Sequence, residues 1–163
     1  MIDIGGFGTK IQIVAIQTFP LGFEVSEFAD DIEPISITPI ELIGFKRLYD
    51  GDIFFHKKNT PVEIEISVTP NSSSDINMKI LLQTAGLNKK FSPVRDILTM
   101  VVGYGDGGKV VFSKGSIVSG PPADSITADK RKSSNTYKFV FGTWDGAQSI
   151  SQVMTGILDG ITT

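Results

Sequence analysis

Eight consecutive residues, Val62-Glu63-Ile64-Glu65-Ile66-Ser67-Val68-Thr69, alternate apolar and polar without a break. Successive side chains of a β-strand point to opposite faces. Val62, Ile64, Ile66 and Val68 therefore share one face, and Glu63, Glu65, Ser67 and Thr69 the other. One buried and one wet face points to an antiparallel sheet covered on one side. Pro70-Asn71-Ser72-Ser73-Ser74 stops the strand and supplies oxygens to cap a helix. The spacing predicts that helix over Asp75–Ala85, with Gly86 as its left-handed stop and Ile76, Ile80 and Leu81 on its buried stripe, Leu87 just beyond.

Other segments extend the sheet. Lys10–Ile16 and Phe23–Phe28 read as strands, separated by a turn at Phe19-Pro20-Leu21-Gly22. Ile35–Thr38 and Glu41–Phe45 follow, then an excursion from Lys46 to Asn59 with a turn near Asp50-Gly51. Thr136–Phe141 is a strand with Tyr137, Phe139 and Phe141 on one face. The tail Gly146–Thr163 carries Ile150, Val153, Met154, Ile157 and Leu158 at the spacing of a weak amphipathic helix, which Gly156 and Gly160 make marginal alone. With 17 glycines and 8 prolines marking turns, the chain predicts a mainly β, single-domain fold with one flanking helix.

Gly103-Tyr104-Gly105-Asp106-Gly107-Gly108 matches the spacing of a dinucleotide-binding loop, which must lead into a helix whose N–H groups hold a pyrophosphate. Here the glycines lead into Lys109-Val110-Val111-Phe112, a β-branched and aromatic run, and no Ser or Thr follows the lysine. Strand, glycine turn, strand is a hairpin over Ile97–Ser119.

No residue set reaches a catalytic pattern. The chain has no cysteine, which excludes disulfides, thiolate zinc sites and cysteine nucleophiles. His56, the single histidine, stands between Phe55 and two lysines, with no triad partner indicated. Asp30, Asp31 and Glu33, and likewise Asp50 and Asp52, lack the spacing of a calcium loop and read as turn residues. Glu63 and Glu65 lie two apart on a solvated face, where nothing splits their pKa values for acid–base work. The net charge of −3 disfavours duplex DNA and anionic membranes as partners, and Lys130-Arg131-Lys132 reads as a solvated loop. No apolar run is long enough to span a bilayer, and the first residues lack the pattern of a signal peptide. A non-enzymatic protein without cofactor or metal is expected.

The order of elements resembles the tail-tube fold of contractile-tailed bacteriophages, shared with the haemolysin-coregulated tube protein of type VI secretion. The likeness rests on the excursion Lys46–Asn59, the strand Pro61–Thr69, the helix Asp75–Ala85 and the hairpin Ile97–Ser119. Gly120-Pro121-Pro122-Ala123-Asp124-Ser125, followed by Asn135-Thr136-Tyr137-Lys138-Phe139-Val140-Phe141, also looks like the end of some tail-tube proteins. The resemblance runs from Lys10 to Gly142. Residues 143–163 form an extension without counterpart, of the kind that marks a tube-initiating or baseplate subunit.

The resemblance implies an antiparallel β-sandwich or small barrel with its helix, in one domain over residues 1–163. Six copies would close into a ring, and rings would stack into a hollow virion tail tube assembled in the host cytoplasm. Tail sheath, baseplate and tail terminator proteins would be partners, and DNA would pass through the lumen without specific binding. An extended loop or hairpin over 45–60 would reach the next ring through Ile53, Phe54, Phe55, His56 and Lys57. Glu63, Glu65, Ser67 and Thr69 would face the lumen, where acidic and small polar groups do not grip phosphate. The alternative is a β-rich receptor- or carbohydrate-binding module of a virion.

Overall fold

The computed structural model describes residues 8–91, 96–105 and 107–146. Its strands are β1 (Lys10–Ala15), β2 (Phe19–Val25), β3 (Ile35–Ile37), β4 (Ile43–Arg47), β5 (Ile53–Lys57) and β6 (Val62–Val68). The helix α1 (Ser73–Phe91) follows, then β7 (Leu98–Gly103), β8 (Lys109–Ser119) and β9 (Asn135–Asp145). Seven strands form one antiparallel sheet in the order β2-β1-β7-β8-β9-β6-β3. It curls into a half-barrel. The fold is thus mainly β with one flanking helix, and of the two forms expected it takes the small barrel, left open between β2 and β3. Among the described residues β4 and β5 pair only with each other.

The core follows the alternation. Val62, Ile64, Ile66 and Val68 of β6 are buried, and so are Tyr137, Phe139 and Phe141 of β9, paired to it through Val62↔Phe141, Ile64↔Phe139 and Ile66↔Tyr137. Ile11, Ile13, Leu98, Met100 and Val102 continue that layer, and Met78 and Leu81 of α1 close it. Each large side chain so buried contributes roughly 1.5–3 kcal/mol before ordering costs. Part of the curl has a local cause. The β7–β8 pairing steps from Met100↔Phe112 to Leu98↔Gly115, and the extra β8 residue, Lys114, takes φ 56°. Such a bulge bends and twists its strand. A methyl group at Gly115 would overlap the Phe141 ring, so the bend closes only over glycine.

The glycines of 103–108 form a hairpin turn, as expected: Tyr104 N–H donates to Gly108 O at 2.8 Å, and Gly107 takes φ 93°. A strand follows, not a helix. Three expectations need correction. Phe19-Pro20-Leu21-Gly22 lies inside β2, and the turn is 16–18, where the Asp96 carboxylate accepts from Gln17 N–H at 2.9 Å and from the Thr18 hydroxyl at 2.5 Å. Proline is tolerated there because β2 is an edge strand, whose outward N–H groups need no partner. The helix continues through Gly86 to Phe91, because a glycine costs about 1 kcal/mol in a helix but stops it only by turning left-handed. Finally, Ile76 and Ile80 face outward, and Met78, Leu81, Leu82 and Ala85 face the sheet. The expected tail helix lies outside the described residues.

Candidate functional site

Two clusters stand out, one polar and buried, the other apolar and exposed. The polar cluster is centred on Asp75, in the first turn of α1. Its Oδ1 accepts from Asn135 Nδ2 at 2.8 Å and from the Tyr137 hydroxyl at 2.7 Å, and its Oδ2 accepts from Asn71 N–H at 3.0 Å. Lys79 Nζ lies 3.1 Å from Oδ2 and bridges to Asp124 at 2.5 Å, and Lys132 reaches Asp124 at 3.0 Å. Ser72 completes the helix cap, its Oγ accepting from Asp75 N–H at 3.2 Å.

Burial opposes the charge on Asp75, yet the bonds from Asn135, Tyr137, Asn71 and Lys79 hold its pKa below the ordinary value. Lys79, Asn135 and Lys132 hold Asp124 far below the carboxylate range. Burial, then the Asp75 carboxylate, pushes the Tyr137 phenol up. Every member is bonded, and the cluster ties the start of α1 to β9 and to the 120–124 loop. A catalytic acid or base needs an open face toward a substrate. This cluster spends its donors and acceptors on itself, so it reads as a brace. Sequence reasoning passed over it, although the i,i+4 spacing of Asp75 and Lys79 was its visible trace.

The apolar cluster is the β4–β5 arm. Its register places Ile43 opposite Lys57, Phe45 opposite Phe55 and Arg47 opposite Ile53 on one face; Gly44 opposite His56 and Lys46 opposite Phe54 form the other. The tip is a tight turn in which Leu48 N–H donates to Asp52 O at 2.8 Å and Asp52 N–H to Asp50 Oδ1 at 3.0 Å, with Gly51 at φ 93°. The base is closed by Lys58 N–H donating to Leu42 O at 2.7 Å and by the Lys58–Glu41 ion pair at 2.7 Å. Leu42, Ile43, Phe45, Leu48, Tyr49, Ile53, Phe54 and Phe55 are all exposed, Phe45 at 75% and Phe55 at 63%. A two-stranded hairpin is marginal in water by itself, and apolar exposure on this scale marks an interaction site.

The residues singled out from sequence are placed as follows. Ile53, Phe54, Phe55, His56 and Lys57 together form β5, all exposed, with His56 stacked on Phe54 at 6.3 Å between ring centroids. The polar face of β6 is uneven: Glu65 is exposed, and half-buried Glu63 lies 3.5 Å from Lys138 Nζ. Ser67 is buried and shares a hydrogen bond of 2.8 Å with the Thr136 hydroxyl, while the Thr69 hydroxyl donates to Phe28 O at 3.1 Å. Asp30 pairs with Arg131 at 3.0 Å, and Asp31 accepts from the Ser134 hydroxyl. Among the described residues no group of three or more His, Cys, Asp or Glu is arranged to hold a metal. No described helix is long and apolar enough to cross a membrane.

A family model described as tail fiber protein gp32 matches residues 2–145. No curated protein matches the chain. Among solved structures, a chain of the anti-feeding prophage baseplate, determined by cryo-electron microscopy and 6-fold symmetrised, superposes with a TM-score of 0.53 at 10% identity. The match covers 89% of this chain and 95% of that one, and at this identity it speaks for the fold alone. The matching family carries a tail-fibre description, where the resemblance implied specifically the tube. With the family match spanning every described element, the chain belongs to the tail fiber protein gp32 family and is a structural component of the phage tail.

Proposed function

We propose that this protein is a non-catalytic, ring-forming subunit of the tail, of the tube type, whose copies stack through the β4–β5 arm. The observation that carries the reading is the arm. It presents Ile43, Phe45, Ile53 and Phe55 exposed on one face, with no layer over them among the described residues, and covering them would contribute roughly 1.5–3 kcal/mol each, less the cost of association. The sheet supports it too. Among the described residues its two edges, β2 and β3, have no further strand partner, which leaves the seam between them open to a neighbouring copy. The fold shared with a chain from a 6-fold symmetrised baseplate is consistent with six copies and with a place near the baseplate end of the tail. In such a ring the Glu63 and Glu65 face of β6 is the one offered to a DNA-conducting lumen, and sheath, baseplate and terminator proteins are the further partners.

Size-exclusion chromatography with negative-stain microscopy tests this. The full chain forms rings or short tubes, and a variant lacking residues 51–57 stays folded but does not stack. A full chain that remains a monomer at high concentration overturns the reading. The tail-fibre description of the family favours one second reading, a receptor-binding module. That reading requires saturable binding to host-cell surfaces by a protein that forms no rings.

A further inference from the structure

The arm needs a receptor of opposite character, and the chain carries one. Residues 24–33 contain Glu24, Glu27, Asp30, Asp31 and Glu33 and no lysine or arginine. Glu27 is used by Ser74, Asp30 by Arg131 and Asp31 by Ser134, whereas Glu24 and Glu33 are exposed and make no ion pair among the described residues. Beside them, at the open seam between β2 and β3, runs a groove of about 510 Å³ lined by Lys10, Glu24, Ser26, Phe28, Pro34 and Ile35. Its wall is apolar at Phe28, Pro34 and Ile35 and carries a carboxylate at Glu24 and an ammonium group at Lys10, with Glu33 next to Pro34 adding a second carboxylate at its rim.

The arm is the complement. Between Ile43 and Lys58 it holds Lys46, Arg47, Lys57 and Lys58 against Asp50 and Asp52. Of those cations only Lys58 has an ion-pair partner among the described residues. On the Phe45–Phe55 face, Lys57 and Arg47 stand at opposite ends of the apolar centre.

Arm and groove also lie at opposite ends of one strand. The arm returns to the sheet at Val62, the start of β6, while the groove residues register with its end: Ile35 with Ile66, Phe28 with Val68, and Ser67 N–H donating to Pro34 O at 2.8 Å. The six steps from Val62 to Val68 separate the two ends by about 20 Å. A donor at one end and an acceptor at the other make a head-to-tail contact, which propagates instead of closing on a pair.

We infer that the β2–β3 seam groove is the receptor for the arm of a second copy of this chain. Phe45 and Phe55 occupy the apolar wall, and Arg47 and Lys57 face Glu24 and Glu33. This rests on the stacking reading above and names the surface that completes it.

Because the chain has no cysteine, directed cross-linking is clean. In the double variant Lys57→Cys, Glu33→Cys, both at exposed positions, oxidation yields a ladder of covalent dimers, trimers and longer chains. The control Lys57→Cys, Asp129→Cys stays unlinked. Mixing the two single variants Lys57→Cys and Glu33→Cys gives mixed dimers. An intramolecular disulfide in the double variant would show the arm folded onto its own groove, and no linkage above the control would place its receptor elsewhere; either overturns the inference. Charge reversal is the second arm of the test. Lys57→Glu and Glu33→Lys each weaken assembly about tenfold or more and together restore most of it; failure of that restoration also counts against the pairing. The two readings separate cleanly. Rings without the ladder leave stacking intact and remove this receptor, whereas a ladder without rings keeps the receptor and removes the tube.

Discussion

The body of the molecule and its arm are built from the same residues to opposite ends. β9 places Tyr137, Phe139 and Phe141 at zero exposure, while the arm, also rich in aromatic residues, leaves Phe45, Phe54 and Phe55 more than half exposed. Strand propensity does not distinguish them, since β-branched and aromatic residues favour both. The difference is the presence of a second layer. β9 lies between β8 and β6 and shares its core with Met78 and Leu81 of α1, and among the described residues β4 and β5 have only each other. An element without a covering layer is an unfinished core, and in the stacking proposed above a neighbouring copy supplies the missing layer.

The sharpest way to break this contrast is to truncate one aromatic on each side. Phe139→Ala removes a fully buried ring and is expected to cost about 3–5 kcal/mol of unfolding free energy by urea titration. Phe55→Ala, equally truncating, is expected to leave the urea midpoint unchanged while abolishing higher-order assembly in sizing. A large stability loss from Phe55→Ala would mean that the arm belongs to the body after all.

Acid titration sharpens the comparison at the next level. Asp75 and Asp124 are held below their ordinary value of 3.8 in the folded chain. Groups with lowered folded pKa stabilise the fold fully above the unfolded value, and lose that stabilisation as pH falls through the folded one. The urea midpoint is therefore flat from pH 7 down to about 5 and drops progressively below about 4. Lys79 works at the other limit: its raised pKa stabilises below 10.5 and is lost as pH rises through the folded value. Asp75→Asn lowers the midpoint at pH 7 and flattens the acid limb, whereas deleting 51–57 leaves that limb unchanged. An acid limb that moves with the arm would break the division between the two regions.

The smallest effect is expected at the arm's base. Lys58 and Glu41 form an exposed ion pair, and such pairs contribute little. Glu41→Ala is expected to leave both the urea midpoint and assembly within error, as measured by denaturation and sizing. Loss of assembly in that variant would show that the pair sets the angle of the arm.

Much of the body was legible because its signals are local. The period of two in Val62–Val68 and in Tyr137–Phe141, and the glycines between β7 and β8, each act over a few residues and read correctly. The errors share a cause. Pro20 and Gly22 are turn residues by propensity, but β2 is an edge strand whose outward N–H groups need no partner, and that is a property of sheet order. Ile76 and Ile80 looked like the buried stripe because apolar spacing alone does not say which side of α1 meets the sheet. The bonds from Asp75 to Asn135 and Tyr137 set that side, and those residues lie about sixty positions away. Ser67 alternates as a solvated residue yet is buried, because the chain around Ala29 and Pro34 pairs across it.

Alternation and turn chemistry are written in neighbouring residues, and they were enough to specify an antiparallel, one-sided sheet with a flanking helix. Strand order, the facing of that helix, the Asp75 brace, the naked arm and the open seam at the far end of β6 arise from contacts between distant segments. Their energies depend on which surfaces meet, and no short stretch of sequence encodes that.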